Sequence, residues 1–141
     1  MAPDGANARV HAAGNWLSLT PLFSPAKDQM AFMAGAKNRP GVYLFDLNTG
    51  RQQILGDFQG ISFAPRFSPD GRSVLLSVTR NGGSDLYAVD LASGARRQLT
   101  ASGAIDTSPC YSPDSSQIVF NSDRGGSPQL YIMPAGGGNA Q

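Results

Sequence analysis

The chain has 141 residues, 11 of them basic and 10 acidic, for a net charge of +1, with 17 glycines and 10 prolines. That length suits one domain with a real core, and the near-neutral balance argues against nucleic acid or an anionic membrane as partner, since either needs a concentrated basic surface. Abundant Gly and Pro favour short strands and tight turns over helices, no apolar run approaches the ~20 residues that span a bilayer, and the lone Cys110 excludes an intramolecular disulfide or a cysteine metal cluster.

Read in chain order, residues 1–7 show neither the basic nor the apolar region of a secretory signal. They share a register with Met133–Asn139, so the chain is expected to open inside a repeating unit, with Asn7–His11 as the last strand of a preceding copy. Phe23-Ser24-Pro25 then begins a pattern that returns as Phe67-Ser68-Pro69 and as Tyr111-Ser112-Pro113, each time 44 residues on. Pro21, Pro65 and Pro109 keep that offset, as do Tyr43, Tyr87 and Tyr131, and Gly50, Gly94 and Gly138. Asp46 and Asp90 keep it too, whereas the third copy has Pro134 there. A strict period of this length is the mark of a repeat architecture.

The middle copy shows what one unit builds. Ala64–Phe67 is a short strand closed by Ser68-Pro69-Asp70-Gly71, where Pro presets the first corner, Asp bonds the backbone ahead and Gly accepts positive φ. Ser73–Thr79 is β-branched and reads as a second strand, broken by Arg80–Ser84. Leu86–Asp90 is a third, and Ala95–Thr100 a fourth, whose Arg96, Arg97 and Gln98 suit an exposed edge. The second and third strands are largely apolar, as in Met30–Ala34, Val42–Phe45, Ile118–Phe120 and Leu130–Met133, so both faces of each small sheet call for a cover.

Four antiparallel strands in about 44 residues is the size of a propeller blade, which runs roughly 40–45 residues. The expected fold is all-β: a β-propeller segment of three four-stranded antiparallel blades and twelve strands, from a six-bladed parent or closing as a dimer. The expected divisions are 1–18 as the tail of a preceding blade, 19–62 and 63–106 as blades, and 107–141 as an incomplete blade that stops where its fourth strand begins. Propellers close with about four to eight blades, so three leave two apolar faces in need of cover. The chain is either a piece of a longer propeller or one half of a two-fold homodimer, in which Asn7–His11 completes the open blade of the other copy.

Pro-x-(Phe/Tyr)-Ser-Pro-Asp recurs with Asn121–Met133, Gly41–Gln52 and Phe63–Gly71, and together these passages resemble the propellers of the TolB family over nearly the whole chain. The resemblance implies a six-bladed propeller behind a small α/β domain, a periplasmic setting, and a non-catalytic role. That role is to bind the peptidoglycan-associated lipoprotein Pal and communicate with TolA in outer-membrane maintenance and cell division. The Ser-Pro-Asp repeat also occurs in propellers of prolyl-oligopeptidase-like serine peptidases. That keeps open the alternative of a peptidase propeller without its catalytic domain, and an isolated repeat module with no ligand is a third reading.

No residue set here points to catalysis. His11 stands on an edge strand without a nucleophile elbow and reads as a surface histidine. Cys110 lies inside a first strand and is expected to be a buried, inert thiol. Asp46, Asp90, Asp70 and Asp114 recur with the architecture and are expected to brace turns. No cofactor or metal is expected, and Gly136-Gly137-Gly138 lacks the Lys-Ser/Thr and helix of a phosphate cradle. The site is instead expected on the loops that precede each first strand, Asn15–Thr20, Gly60–Phe63 and Ala104–Ser108. The family resemblance implies that partner-binding residues lie just before the Pro of each Pro-x-Phe-Ser-Pro. On this chain they are Ser62, Phe63 and Ala64, and Asp106, Thr107 and Ser108. An exposed Phe63 would serve as an interface anchor, and a Phe63 packed between blades would not.

Overall fold

Eleven strands and no helix form the computed structural model, which describes residues 17–35 and 38–141. The Asn7–His11 strand, His11 itself, and Asn15 and Trp16 of the first loop lie outside the described residues. Strands β1 (Ser18–Phe23), β2 (Gln29–Ala34), β3 (Gly41–Asp46) and β4 (Gln52–Ile54) make one antiparallel sheet in sequential order. A second sheet contains β5 (Ser62–Phe67), β6 (Ser73–Arg80), β7 (Gly83–Asp90) and β8 (Arg96–Gln98). The third is made of β9 (Asp106–Tyr111), β10 (Gln117–Ser122) and β11 (Gln129–Pro134). Ile132 and Gln141 exchange backbone hydrogen bonds of 2.8 and 2.9 Å, as expected for the first pairing of a fourth strand, in the register of Leu44 with Gln53 and Ala88 with Arg97.

The sheets stack on one another. Strand β5 packs against β1, β2 and β3, and β9 packs against β5, β6 and β7, so each first strand nests on the preceding sheet. Two apolar seams result. Val42, Leu44 and Leu55 of the first sheet join Val74, Leu76, Val78 and Val89 of the second. Leu75, Leu86, Ala88 and Leu99 of the second join Ile118, Phe120 and Met133 of the third. Burial of these side chains is what orders the strands, because a sheet with two apolar faces gains little until both are covered. A side-chain bond crosses the first seam where the Val42 N–H donates to Ser62 Oγ at 2.8 Å.

Turn chemistry repeats with the sheets. The Asp70 carboxylate accepts from the Ser68 hydroxyl at 2.6 Å and the Arg72 N–H at 3.0 Å, and Asp114 accepts from the Ser112 and Ser116 hydroxyls at 2.6 and 2.7 Å. These bonds hold both carboxyls below the usual carboxylate range, Asp114 to about 2, chiefly through Ser112. Asp46 and Asp90 accept backbone N–H groups two and three residues ahead at 2.8–3.1 Å, which also lowers both.

Three details differ from the sequence reading. Strand β7 begins at Gly83 because Asn81 and Gly82 both adopt positive φ, so the hairpin pairs up to Arg80–Gly83 instead of breaking over Arg80–Ser84. The fourth strand of the second sheet is only Arg96–Gln98, with Leu99 and Thr100 turning inward and buried. Cys110 is exposed, not buried. A bulge just before it resets which side chains of β9 face inward, and it is Pro109 that is fully buried.

Candidate functional site

The bulge decides the geometry of the candidate site. In each first strand two residues, Thr20-Pro21, Ala64-Pro65 and Ser108-Pro109, stand opposite a single residue of the second strand, Phe32, Leu76 and Phe120. Proline has no N–H to contribute to a ladder, so it is tolerated where the ladder is interrupted. The residue before it takes positive φ in every copy, at 51° for Thr20, 52° for Ala64 and 55° for Ser108. Non-glycine residues seldom adopt that conformation, and its recurrence at a 44-residue interval marks it as built into the unit.

Pairing resumes beyond the bulge, which moves the candidate residues out of loops and onto strands. Ser62 and Phe63 pair with Val78 and Ser77, and Asp106 and Thr107 pair with Ser122 and Asn121. Their side chains divide by alternation. Ser62 and Asp106 point inward and are buried, Phe63, Ala64 and Thr107 are half-buried, and Ser108 is exposed. Phe63 is therefore neither a free anchor nor a fully packed core residue.

Asp106 carries the strongest polar arrangement among the described residues. A terminal guanidinium nitrogen of Arg124 donates to both carboxylate oxygens at 3.0 and 3.1 Å, and the Ser102 hydroxyl adds a bond of 3.1 Å. The Arg124 Nε–H donates to Ser122 Oγ at 2.9 Å, and the guanidinium lies 5.1 Å from the Phe120 ring centre and 5.0 Å from that of Tyr131. Burial pushes the Asp106 carboxyl up, but the Ser122 and Thr100 hydroxyls and Arg124 outweigh it and hold it below the ordinary value. The pair ties the loop after β10 to the start of β9. Next to it, the Asp123 carboxylate accepts the Ile105 N–H at 2.8 Å, as Thr79 Oγ1 accepts the Ile61 N–H at 2.8 Å in the second sheet.

These bonds pin two of a row of residues that the sequence reading included in its candidate loops without singling them out. Leu17, Ile61 and Ile105 occupy one repeat position, immediately before the first strand of each copy, and all three are exposed. At Ile61 and Ile105 the backbone N–H is tied down while the side chain projects into solvent, and Leu17 repeats the exposed aliphatic position. The 44-residue offset was the signal that could have found them. Beside Ile61, a cleft of about 1100 Å³ opens between Phe58–Gly60 and the β6–β7 hairpin. Within it Asp85 accepts from Arg80 at 3.4 Å and from Gln98 at 3.2 Å. Among the described residues no three His, Cys, Asp or Glu side chains gather as metal ligands.

Small antiparallel sheets stacked face to face, each entered by a bulged inner strand and left by a short polar outer one, define a β-propeller. The chain belongs to the TolB propeller family: the model described as the TolB beta propeller domain matches residues 1–141. It is similar to the Tol-Pal system protein TolB of Gluconobacter oxydans (strain 621H), with 71% identity over 63 residues, 45% of this chain and 14% of that protein. The crystal structure of TolB from Acinetobacter baumannii superposes with a TM-score of 0.86 at 35% identity, covering 99% of this chain and 35% of that one. The chain thus spans a minor part of the relatives it matches. A puromycin hydrolase structure shares the fold alone, with a TM-score of 0.73 at 18% identity over 89% of this chain and 22% of its own.

Proposed function

We propose that this chain is a non-catalytic, protein-binding propeller of the Tol–Pal system. It acts in the periplasm and takes a Pal-like peptidoglycan-associated lipoprotein as partner, in support of outer-membrane integrity and cell division. The observation that carries the reading is the row of exposed Leu17, Ile61 and Ile105, the last two on backbone anchored by Thr79 and Asp123. A recurring aliphatic residue held rigidly in water suits an interface, where apolar area is gained without first ordering a loop. Phe63, Ala64, Thr107 and Ser108 flank that row and complete the contact surface. Ser62 and Asp106 lie beneath it and set its position. Membership of the TolB family supports the choice of partner. The likeness to a puromycin hydrolase reaches the fold only and does not favour a peptidase role.

The test is titration of the chain with the globular domain of a Pal-like lipoprotein, comparing wild type with Ile61→Ser/Ile105→Ser, Phe63→Ala and Thr107→Ala. Loss of two aliphatic anchors is expected to weaken binding about 10- to 100-fold. Full-strength binding by all three variants would remove the surface from consideration. A wild-type chain that folds and does not bind would remove the partner.

A further inference from the structure

One repeat position carries an arginine in two successive sheets, Arg80 and Arg124, and the two are used differently. Arg124 closes on Asp106 at the start of β9, and only 24% of its side chain is exposed. The second sheet has Ser62 at the place of Asp106, and the Ser62 hydroxyl already accepts the Val42 N–H. Arg80 reaches instead across its own hairpin to Asp85, at 3.4 Å, and keeps 61% of its side chain in solvent. The Asp85 side chain is only 7% exposed and also accepts from Gln98 at 3.2 Å. A contact as long as 3.4 Å is weak, so Asp85 steadies one guanidinium nitrogen and leaves the rest of the N–H fork to solvent.

That fork lines the cleft of about 1100 Å³, whose walls all come from residues 58–98. Phe58 and Tyr87, both half-buried, meet edge to face with ring centres 4.9 Å apart and form its aromatic side. Arg96 lies 5.1 Å from the Phe58 ring centre and donates to the Asp57 carbonyl, which fixes a second cation at the cleft. The Gln59 and Asn81 amides line the same space. Two guanidiniums against the single carboxylate of Asp85 leave the lining net positive. Its inner wall is rigid. The Ile61 N–H donates to Thr79 Oγ1 at 2.8 Å, and the Thr79 N–H donates to the Ile61 carbonyl at 3.0 Å. A Cβ on Gly60 would overlap the Thr79 carbonyl, so glycine is what lets this segment close on the hairpin.

We propose that the cleft binds a carboxylate borne by a peptide segment of a protein partner. The carboxylate sits on Arg80, and the neighbouring peptide residue lies against Phe58 and Tyr87. A net positive lining selects an anion, and the planar fork of an arginine held from behind matches a carboxylate. The aromatic side and the size of the cleft exceed what a lone carboxylate fills, and they suit the body of a peptide. Walls already tied together need little ordering when the ligand arrives. The site is distinct from the row of Leu17, Ile61 and Ile105, and it stands whether or not that row takes a Pal-like partner.

The test is NMR titration of the 141-residue chain with short acetylated peptides. Acetyl-Gly-Phe-Glu-Gly-amide offers a side-chain carboxylate, and acetyl-Gly-Gly-Phe with a free carboxyl end offers a terminal one. The same Glu peptide with Gln or Lys in place of Glu supplies the controls. At least one carboxylate peptide is expected to bind about 10-fold more tightly than the Gln peptide and to shift the amide resonances of Gly60, Asn81 and Tyr87. The tighter of the two identifies the source of the carboxylate. Arg80→Gln changes an exposed side chain, so strand circular dichroism should be retained while carboxylate binding weakens about 10-fold. Arg80→Lys keeps the charge without the fork and should recover only part of that loss. Ile105→Ser, outside the cleft, should leave this binding unchanged, which separates it from the contact proposed for the exposed row. Preference for the Lys peptide would overturn the proposal and give the cleft to a cation on Asp85. Equal binding of the Gln peptide, full-strength binding by Arg80→Gln, or no binding at millimolar peptide would overturn it as well.

Discussion

Replacing Arg124 by Met removes the cation from a carboxylate that has no other among the described residues. The Asp106 side chain is fully buried and that of Arg124 is 24% exposed, so the pair is screened little by solvent. Deleting one member of a buried pair costs about 3–5 kcal/mol, because the remaining charge is stranded. Loss of the guanidinium over Phe120 and Tyr131 adds about 0.5–1 kcal/mol at each ring, while the Met stem keeps part of the apolar packing. The partial exposure of Arg124 places the total near the lower end, about 3 kcal/mol at pH 7, or roughly 10 °C in melting temperature for a chain of this size. The sign of the pH dependence separates this mechanism from lost packing. In the wild type the folded Asp106 carboxyl lies below its unfolded value, so its contribution is present above that value and is lost on acidification. Without Arg124 the burial remains and part of what opposes it is gone, so the folded value rises and the variant loses less stability than the wild type as the pH falls. The gap between variant and wild type, followed by urea denaturation from pH 7 to pH 4, should therefore shrink. Asp106→Asn/Arg124→Met should recover about 2 kcal/mol of the loss. A loss below about 1 kcal/mol, or one independent of pH, would refute the reasoning.

Ala64→Gly is expected to stabilise the fold by about 0.5–1 kcal/mol, since relief of a left-handed alanine outweighs the added freedom of the unfolded chain, and thermal melting checks it. Ser77→Ala should be neutral or stabilising by up to about 1 kcal/mol, because the Ser77 hydroxyl is buried with no hydrogen-bond partner; chemical denaturation would expose a loss instead. Acid should loosen the turns before β6 and β10. Asp114 titrates at about 2 when folded, so the stability it lends is present above its unfolded value near 4 and is lost between the two. Ser112→Ala, which removes the largest cause of that depression, should move the Asp114 carboxyl resonance titration upward in NMR.

The period, the turns and the strand pairs were legible in the residues themselves because they depend on neighbours in the chain. Ser-Pro-Asp closes a hairpin wherever it stands, and alternation or continuity of apolar residues names a strand without knowledge of what covers it. The same holds for Asp46, Asp70, Asp90 and Asp114, whose partners lie within three residues. The candidate site was legible only in its position. Ser62 and Asp106 were assigned to a surface and proved to be buried supports. A bulge at Pro65 and Pro109 shifts the inward and outward faces of the strand, and the partner that holds Asp106 comes from Arg124, on the next loop. Cys110 was misjudged for the same reason.

Tertiary structure alone decided burial. Val42, Leu86 and Leu130 are interchangeable on the page, two of them covered and the third in water. What separates them is the presence of a following sheet, and hydrophobic burial belongs to a pair of surfaces, never to one residue.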